Sequence, residues 1–427
     1  MSRYFSILVF SGGALFAQHE GMHHMHGMGQ MNMNPAGMFL MNQASGTSLN
    51  PDSWNMPMLM ISPGGWNLMF MGQAFLVDTQ QRGPRGHDKF YSSNYGMFAA
   101  EHVAGKGSFL FETMLTLEPA GITDRRYPEL FQTGETAFGK PLVDAQHPHD
   151  AIMSLGVHYA RSISENTIFQ IYFAPVGDPA LGPVAFPHRA SAAELPQAPL
   201  SHHLQDSSHI ANEVITGAIK YRKVRLEVSG FYGTEPNENR WNIDYGPINS
   251  WATRLSYFPS KNWMAQVSVG RLARPERQEP GDMVRSTTSI SYTRAIPGGD
   301  WSSSLIWGRD HKTLDQHNLN SYVLESVAPV SRKNFVTGRI ELVDRDELFS
   351  DQPDLEERLA RTAGSSFRIG AYTVGYTRDI GTYHNLETGI GANVTSYSLP
   401  GAIKPYYGDR PLGVSVYLRV RLTPPPG

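Results

Sequence analysis

The chain has 427 residues, with 36 lysines and arginines against 39 aspartates and glutamates, and a formal net charge of −3. This balance argues against nucleic-acid binding and against a polybasic membrane tether. The absence of cysteine excludes disulfides, thiolate metal sites and cysteine nucleophiles. The length is too great for one ordinary soluble core and suits a single large barrel.

Residues 1–17 have the features of a secretory signal peptide. Arg3 provides a basic start, residues 4–10 are mostly apolar, and Ala17 is a small residue before a cleavage point near Gln18. The alternative is a short buried helix. No later run of about 18 apolar residues follows, so a transmembrane helix is not predicted. We therefore expect export to the periplasm, the outer membrane or the medium.

A low-complexity segment rich in histidine, methionine and glycine follows at 18–41, and a turn-rich stretch continues to residue 65. We interpret 18–65 as a periplasmic leader and linker, with the leader disordered. Imidazole and thioether groups are ligands that copper prefers, and His-rich tracts of low complexity commonly bind metal. The alternative is a disordered linker with an accidental bias. The predicted leader ligands are His19, Met22, His23, His24, Met25, His26, Met28, Met31 and Met33.

Residues 66–427 are predicted to form an all-β, transmembrane, antiparallel up-and-down barrel of about sixteen strands. Residues 224–229, 251–257 and 412–422 alternate apolar and polar side chains, as strands with one apolar face do. A β-sandwich would alternate too, but the connectors are short and long in strict turn, which is typical of bacterial outer-membrane barrels. The predicted short turns lie near 104–107, 164–166, 221–223, 259–262, 297–300, 329–333 and 380–383. The predicted long loops lie near 80–89, 119–150, 176–209, 233–248, 272–283, 310–319, 344–365 and 399–411.

An even strand count puts both termini on the short-turn side, so we expect an outer-membrane protein with periplasmic termini. On the first strand, Met69, Met71 and Gln73 are expected to face the lumen. The charged residues that alternate with apolar partners are also expected to point inward, as a structural ionic lattice or as selectivity groups. These are Glu112, Glu118, Arg225, Glu227, Arg254, Arg339, Glu341, Arg368, Arg419 and Arg421.

Two histidine motifs fall in the predicted long loops. The segment DAQHPHD contains His147 and His149, whose spacing of two points both side chains the same way in an extended chain. The segment SHHLQDSSH contains His202, His203 and His209, in a loop long enough to have a functional or plugging role. The sequence predicts metal binding by these five residues, or a proton-sensitive site, on the loop-side rim. Solvated loop histidines are the alternative.

The layout of signal peptide, His/Met-rich leader and barrel resembles the copper-resistance B-type outer-membrane proteins. That resemblance implies copper handling at the periplasm or outer membrane and no catalytic residue. The predicted function is therefore copper binding, with tolerance or passage of copper across the outer membrane. The alternatives are a general or solute-selective porin with no metal role, and a barrel enzyme or surface-interaction protein.

Catalysis is not predicted, because no GxSxG elbow or nucleotide fingerprint is present. Copper ions are the expected cofactor, and no organic cofactor is expected. The expected partners are outer-membrane lipid and metal ions or small solutes. The size is compatible with a homotrimer by analogy with porins.

Overall fold

The computed structural model describes residues 33–276 and 280–424. The predicted signal peptide and the leader ligands from His19 to Met31 lie outside the described residues. Met33 is described, and it is half-buried against a cluster of apolar side chains inside the barrel.

The described elements are nineteen strands, five α-helices and four short 3-10 helices. The helices are short, and none in the described residues is both long enough and apolar enough to cross a membrane. The helices are α1 (Pro35–Met41), α2 (Glu118–Gly121), α3 (His202–Gln205), α4 (Pro353–Ala363) and α5 (Lys404–Tyr407). The strands are β1 (Leu59–Ile61), β2 (Trp66–Arg82), β3 (Asp88–Ala104), β4 (Gly107–Leu115), β5 (Tyr127–Ala137), β6 (Lys140–Gln146), β7 (Ile152–Ser164), β8 (Thr167–Gly177), β9 (Ala211–Tyr221), β10 (Val224–Tyr232), β11 (Ser250–Ser260), β12 (Trp263–Leu272), β13 (Met283–Ile296), β14 (Gly299–Lys312), β15 (His317–Ser331), β16 (Asn334–Arg345), β17 (Phe367–Tyr383), β18 (Leu386–Ser398) and β19 (Leu412–Leu422).

Strands β2–β4 and β7–β19 form one closed antiparallel barrel of sixteen strands, which confirms the predicted fold. Each strand pairs with its neighbour along the chain, with β4 pairing β7 across the loop between them. The ring closes where β19 pairs with β2. Strand β1 adds three residues to β2, and β5 and β6 form a separate hairpin. Closure leaves no unpaired edge among the barrel strands.

The connectors sort to two ends as predicted. Tight turns at 105–106, 165–166, 222–223, 261–262, 297–298, 332–333 and 384–385 define the short-turn end. Connectors at 83–87, 116–151, 178–210, 233–249, 273–282, 313–316, 346–366 and 399–411 define the long-loop end. The loop predicted near 310–319 shrinks to 313–316, because β14 and β15 stay paired as far as Lys312 and His317.

The wall separates apolar and polar side chains because neighbouring residues of a strand point to opposite faces. On β10, Val228 is 56% exposed on the outside, whereas Glu227 beside it is 1% exposed on the inside. Met69 and Met71 on β2 are buried in the lumen, as predicted, and Gln73 donates to the carbonyl of Ala193 there. The exterior is therefore apolar, and the polar residues of the wall line the interior.

An ionic lattice fills much of the lumen. Arg254 on β11 places Nε and Nη2 at 2.9 and 3.0 Å from the Glu227 carboxylate on β10. Arg339 on β16 similarly reaches Glu325 on β15 at 3.0 Å. Pairing of this kind offsets the cost of burying each charge. The inward direction predicted for most of the charged residues is thus confirmed.

Arg368 is the exception, and its predicted inward direction is wrong. Its side chain is 53% exposed and pairs with Asp344 at 2.7 Å. The register of β17 buries Phe367 and Ile369 instead, so Arg368 falls on the opposite face.

Two segments plug the lumen. We call residues 33–58 the N-terminal plug and residues 178–210 the loop plug. The predicted plugging role of this long loop is confirmed, since most of its residues are buried inside the barrel. The N-terminal plug meets it where Ser45 donates to Asp178 at 2.9 Å and Asn50 donates to the His188 carbonyl at 2.9 Å.

The N-terminal plug enters and leaves at the short-turn end. Asn34 caps α1 by accepting from the Gly37 amide at 2.8 Å, and Pro35 supplies the preset φ of the first helical turn. The same Asn34 amide donates to the carbonyls of Gly105 and Gly107 beside a short turn. A single residue therefore starts the helix and anchors it to the wall.

Arg254→Ala tests whether the lattice holds the plugs. Besides Glu227, Arg254 donates to the Gly182 carbonyl of the loop plug and to Thr47 Oγ1 of the N-terminal plug, each at 3.1 Å. Its loss leaves Glu227 buried with fewer partners, and we expect a cost of about 3–5 kcal/mol in urea unfolding. The double variant Arg254→Ala with Glu227→Ala should recover part of the lost free energy of unfolding, because it no longer buries a carboxylate that lacks its arginine partner. Arg361→Ala, at an exposed pair on α4, should change nothing measurable.

Candidate functional site in the barrel lumen

Five histidines meet inside the barrel, and we call His147, His149, His202, His203 and His209 the histidine cluster. The first two follow β6, the next two begin α3, and His209 ends a 3-10 turn in the loop plug. Ring centroids lie 5.8 Å apart for His147–His203 and 5.3 Å for His202–His203. They lie 5.2 Å apart for His202–His209 and 5.4 Å for His149–His209. The structure thus joins the two predicted motifs, and it places them in the lumen rather than on the rim.

Oxygen atoms fix one ring nitrogen of most members. Glu118 lies 2.9 Å from His149 Nδ1, and Asp206 lies 2.8 Å from His202 Nδ1. The Asp206 carbonyl lies 2.8 Å from His209 Nδ1. Ionised carboxylates and carbonyls only accept hydrogen bonds, so each neutral ring donates through Nδ1 and keeps its lone pair on Nε2. This is how proteins orient histidines that bind metal.

Several of these lone pairs have no partner. The buried atoms His149 Nε2, His209 Nε2 and both ring nitrogens of His203 make no hydrogen bond. An unpaired buried polar atom is costly, so it calls for an explanation. An ion among these rings would satisfy them, which makes the cluster a candidate metal site.

Electrostatics keeps most of these imidazoles neutral. Burial lowers the pKa of His203 and His209 well below the usual range, and neighbouring histidines add to the effect. Burial also lowers the pKa of His202 in spite of Asp206, and that of His188 to about 4. His149 differs, because Glu118 outweighs burial and raises its pKa. Neutral imidazole is the form that coordinates metal.

A cavity of about 450 Å³ opens at the long-loop end, and we call it the acidic vestibule. The charged or titratable residues known to line it are carboxylates and His317, and the described residues of the lining include no lysine or arginine. Arg125, Arg240 and Lys312 pair with some of these carboxylates from outside the lining. The carboxylates are Glu135, Glu235, Glu238, Glu276, Asp315, Asp346, Glu347 and Glu356.

Ligand atoms of His203, Glu235 and Glu276 all lie within 4.8 Å of one another, a spacing that suits a bound cation. Burial and nearby Glu135 raise the pKa of Glu235 to about 8, and a cation would relieve this crowding of negative charge. Gly134, at φ 111°, lets the β5–β6 hairpin pass close to the His203 ring. Sequence reasoning missed both glutamates, because they lie in two different loops and neither belongs to a recognisable ligand motif.

A third group consists of methionines, and we call Met71, Met97 and Met114 the methionine row. Met71 pairs with Met97 across β2 and β3, and Met97 pairs with Met114 across β3 and β4. All three are buried in the lumen together with Met153. His188 Nε2 of the loop plug lies 3.0 Å from the Met114 sulfur. The sequence predicted only Met71 of this group to face inward.

Comparison with known proteins shows which solved structures share this fold. No family model and no curated protein matches the chain. Among solved structures, an anion-selective porin from Comamonas acidovorans is 11% identical with a TM-score of 0.53, over 84% of this chain and all of that one. The Salmonella typhi OmpF in complex with daunomycin is 9% identical with a TM-score of 0.51, over 85% of this chain and all of that one. At these identities the likeness shows that the chain shares the barrel fold of porins, and the resemblance to copper-resistance proteins is not shown.

Acidification should loosen the loop plug. Its histidines 188, 202, 203 and 209 have lowered pKa values when buried, so their contribution is complete above about 6.5 and is lost as pH falls. The pKa of His149 is raised, so protonation of this residue favours the folded state, but four histidines of the loop plug have the opposite effect. We expect ion current through planar bilayers to rise roughly threefold or more between pH 7.5 and 5.5.

The double variant His203→Gln with His209→Gln should flatten this pH response, because glutamine stays neutral throughout. His87→Gln, at an exposed loop position, is the matched control and should leave the response intact. A current that falls on acidification would contradict the assignment.

Proposed function

We propose that the chain is a porin-type barrel of the bacterial outer membrane that passes small cations. The apolar exterior, the closed ring of strands and the polar lumen support insertion in a bilayer. In this orientation the long-loop end faces outward and the termini lie in the periplasm. A homotrimer stays a prediction.

The acidic vestibule carries this proposal. Carboxylates gathered in a cleft with low-dielectric walls focus a negative potential and raise the local concentration of cations. Rings of acidic side chains are a known basis of cation selectivity in pores. The Glu235 and Glu276 carboxylates stand at the inner side of the vestibule, next to His203, where an entering cation would be bound first.

The two plugs favour small ions over bulky solutes. A sixteen-strand barrel without an insert leaves a wide aqueous channel. Here the N-terminal plug and the loop plug bury arginines such as Arg189 and Arg254 in the middle of the lumen. Arg189 joins Asp206 of the loop plug at 3.0 Å and Glu325 of the wall at 2.6 Å. The plugs therefore narrow the lumen, and in this proposal only small ions pass.

Reversal potentials in a salt gradient test the cation preference. The wild-type chain in planar bilayers should favour K⁺ over Cl⁻. Measured at pH 9, above the raised pKa of Glu235, the double variant Glu235→Gln with Glu276→Gln removes two carboxylates at the inner side of the vestibule and should lower the K⁺ to Cl⁻ permeability ratio by at least about twofold.

Glu357→Gln is the control for this experiment. It removes one carboxylate from an exposed face of α4, outside the vestibule lining, and should leave selectivity unchanged. Anion preference in the wild-type chain would overturn the proposal.

A second candidate function is handling of copper. The observation that favours it is the histidine cluster, whose unpaired imidazole nitrogens are buried and oriented by oxygen partners. The leader ligands from His19 to Met31 supply a further set of the same chemistry on the periplasmic side. In this version copper is the transported ion rather than a resident cofactor.

Cu(II) binding by the cluster is measurable by electron paramagnetic resonance. His149→Gln with His209→Gln should weaken the nitrogen hyperfine pattern of bound Cu(II), because both rings offer an unpaired Nε2. His87→Gln with His384→Gln changes two exposed rings and should leave the cluster signal intact. Equal spectra from the two variants would remove the cluster from the metal pathway.

A further inference from the structure

We infer that Met97, Met114, Met153 and His188 form a binding site inside the barrel for one soft monovalent cation, Cu(I). This inference deepens the copper candidate and rests on it, because it names the oxidation state and a second station in the lumen. It concerns residues that the sequence did not single out for metal binding.

Strand register brings the sulfurs together. Directly paired residues of antiparallel strands have Cβ atoms roughly 4.5–5.5 Å apart, so Met97 and Met114 are close neighbours on the inner face. Met71 continues the row on the far side of Met97. Four methionine side chains thus share one sector of the wall, where β2, β3, β4 and β7 meet.

A β-bulge turns the fourth side chain inward. Met114 pairs with Ser154, whereas Leu115 pairs with Ile152, so Met153 is the extra residue between them. Bulges of this kind redirect a side chain and occur often next to functional sites. Met153 is 3% exposed and packs among the other methionines.

A small cavity lies between these side chains and the loop plug. Its volume is about 20 Å³, which is room for a single water-sized occupant. Met97, Met114, Met153, His188 and His209 line it, and so do two carboxyl residues, Glu112 and Asp178. The site therefore combines thioether sulfur and imidazole nitrogen with nearby carboxyl groups.

The donor set selects the ion. Thioether sulfur is a soft ligand that favours Cu(I), whereas Ca²⁺ and Mg²⁺ require oxygen ligands. His209 Nε2 is buried without a hydrogen-bond partner, and His188 Nε2 already lies 3.0 Å from a sulfur. Methionine also fills irregular gaps in ordinary cores, so the experiment must separate coordination from packing.

The His188 backbone is held in place independently of the methionines. Asn50 of the N-terminal plug donates to the His188 carbonyl at 2.9 Å and accepts from the Ala190 amide at 3.2 Å. Both plugs therefore position the imidazole over Met114. A site assembled by two segments and the wall is more defined than a chance contact between flexible side chains.

Binding of Ag(I), a redox-inert substitute for Cu(I), tests the inference on the full chain in detergent. We compare the triple variant Met97→Leu, Met114→Leu and Met153→Leu with a matched triple variant, Met41→Leu, Met69→Leu and Met264→Leu. The control methionines are equally buried in the lumen but lie in a different cluster. Leucine preserves volume, so both variants should fold.

Equilibrium dialysis should show that the first triple variant binds about one Ag(I) fewer per chain, while the control matches the wild type. In wild-type protein labelled with [¹³C-methyl]methionine, Ag(I) should shift the methyl resonances of Met97, Met114 and Met153. Zn²⁺ should leave the same three resonances unchanged.

Equal stoichiometry in the two triple variants, or shifts confined to other methionines, would show that Met97, Met114 and Met153 only pack together and would overturn the inference. Neither result affects the reversal potentials of the vestibule variants, so those potentials test the proposed cation channel independently of the Cu(I) site. If the first triple variant loses Ag(I) binding but keeps its cation selectivity, both the Cu(I) site and the cation channel are supported.

Discussion

Closure of the strand ring is the constraint on which the rest of the structure depends. Once β19 pairs with β2, every barrel residue faces either outward or inward, and alternation along each strand decides which. Apolar side chains take the outside and charged side chains take the inside. The buried charges then require partners, and those partners come from the neighbouring strands and from the two plugs.

The separation of apolar side chains outside from charged side chains inside explains why the histidines and carboxylates of the candidate site lie in the lumen. The loop plug turns back into the barrel, where Arg189 pairs with Glu325 on the wall, and it takes three clustered histidines with it. The segment that follows β6 supplies the other two, His147 and His149. His203 lies beside the vestibule carboxylates Glu235 and Glu276, whereas His209 lines the small cavity between the methionines and the loop plug. The histidine cluster therefore borders both the oxygen ligands and the thioethers.

Much of the fold follows from the sequence, but much of the site does not. Alternation at 224–229 and the rhythm of connectors predicted the strands, the two ends and the plugging loop, because both patterns are local. The meeting of His147 with His203 depends on how two loops fold inward, and periodicity carries no information on that. Register aligned Met97 with Met114, and a one-residue bulge turned Met153 inward. Arg368 shows the same limit, since a small change of register near a strand end reverses its face.

The position of the N-terminal plug has a consequence for assembly. This segment precedes β2 in the chain, yet it lies inside the ring that β2 closes with β19. Arg225 and Arg254 donate to Thr47 of that segment, so a ring that closed without it would leave each of these two buried arginines with one acceptor fewer. The leading segment thus supplies hydrogen-bond acceptors to the wall that encloses it, and the stability of the wall is coupled to the presence of that segment.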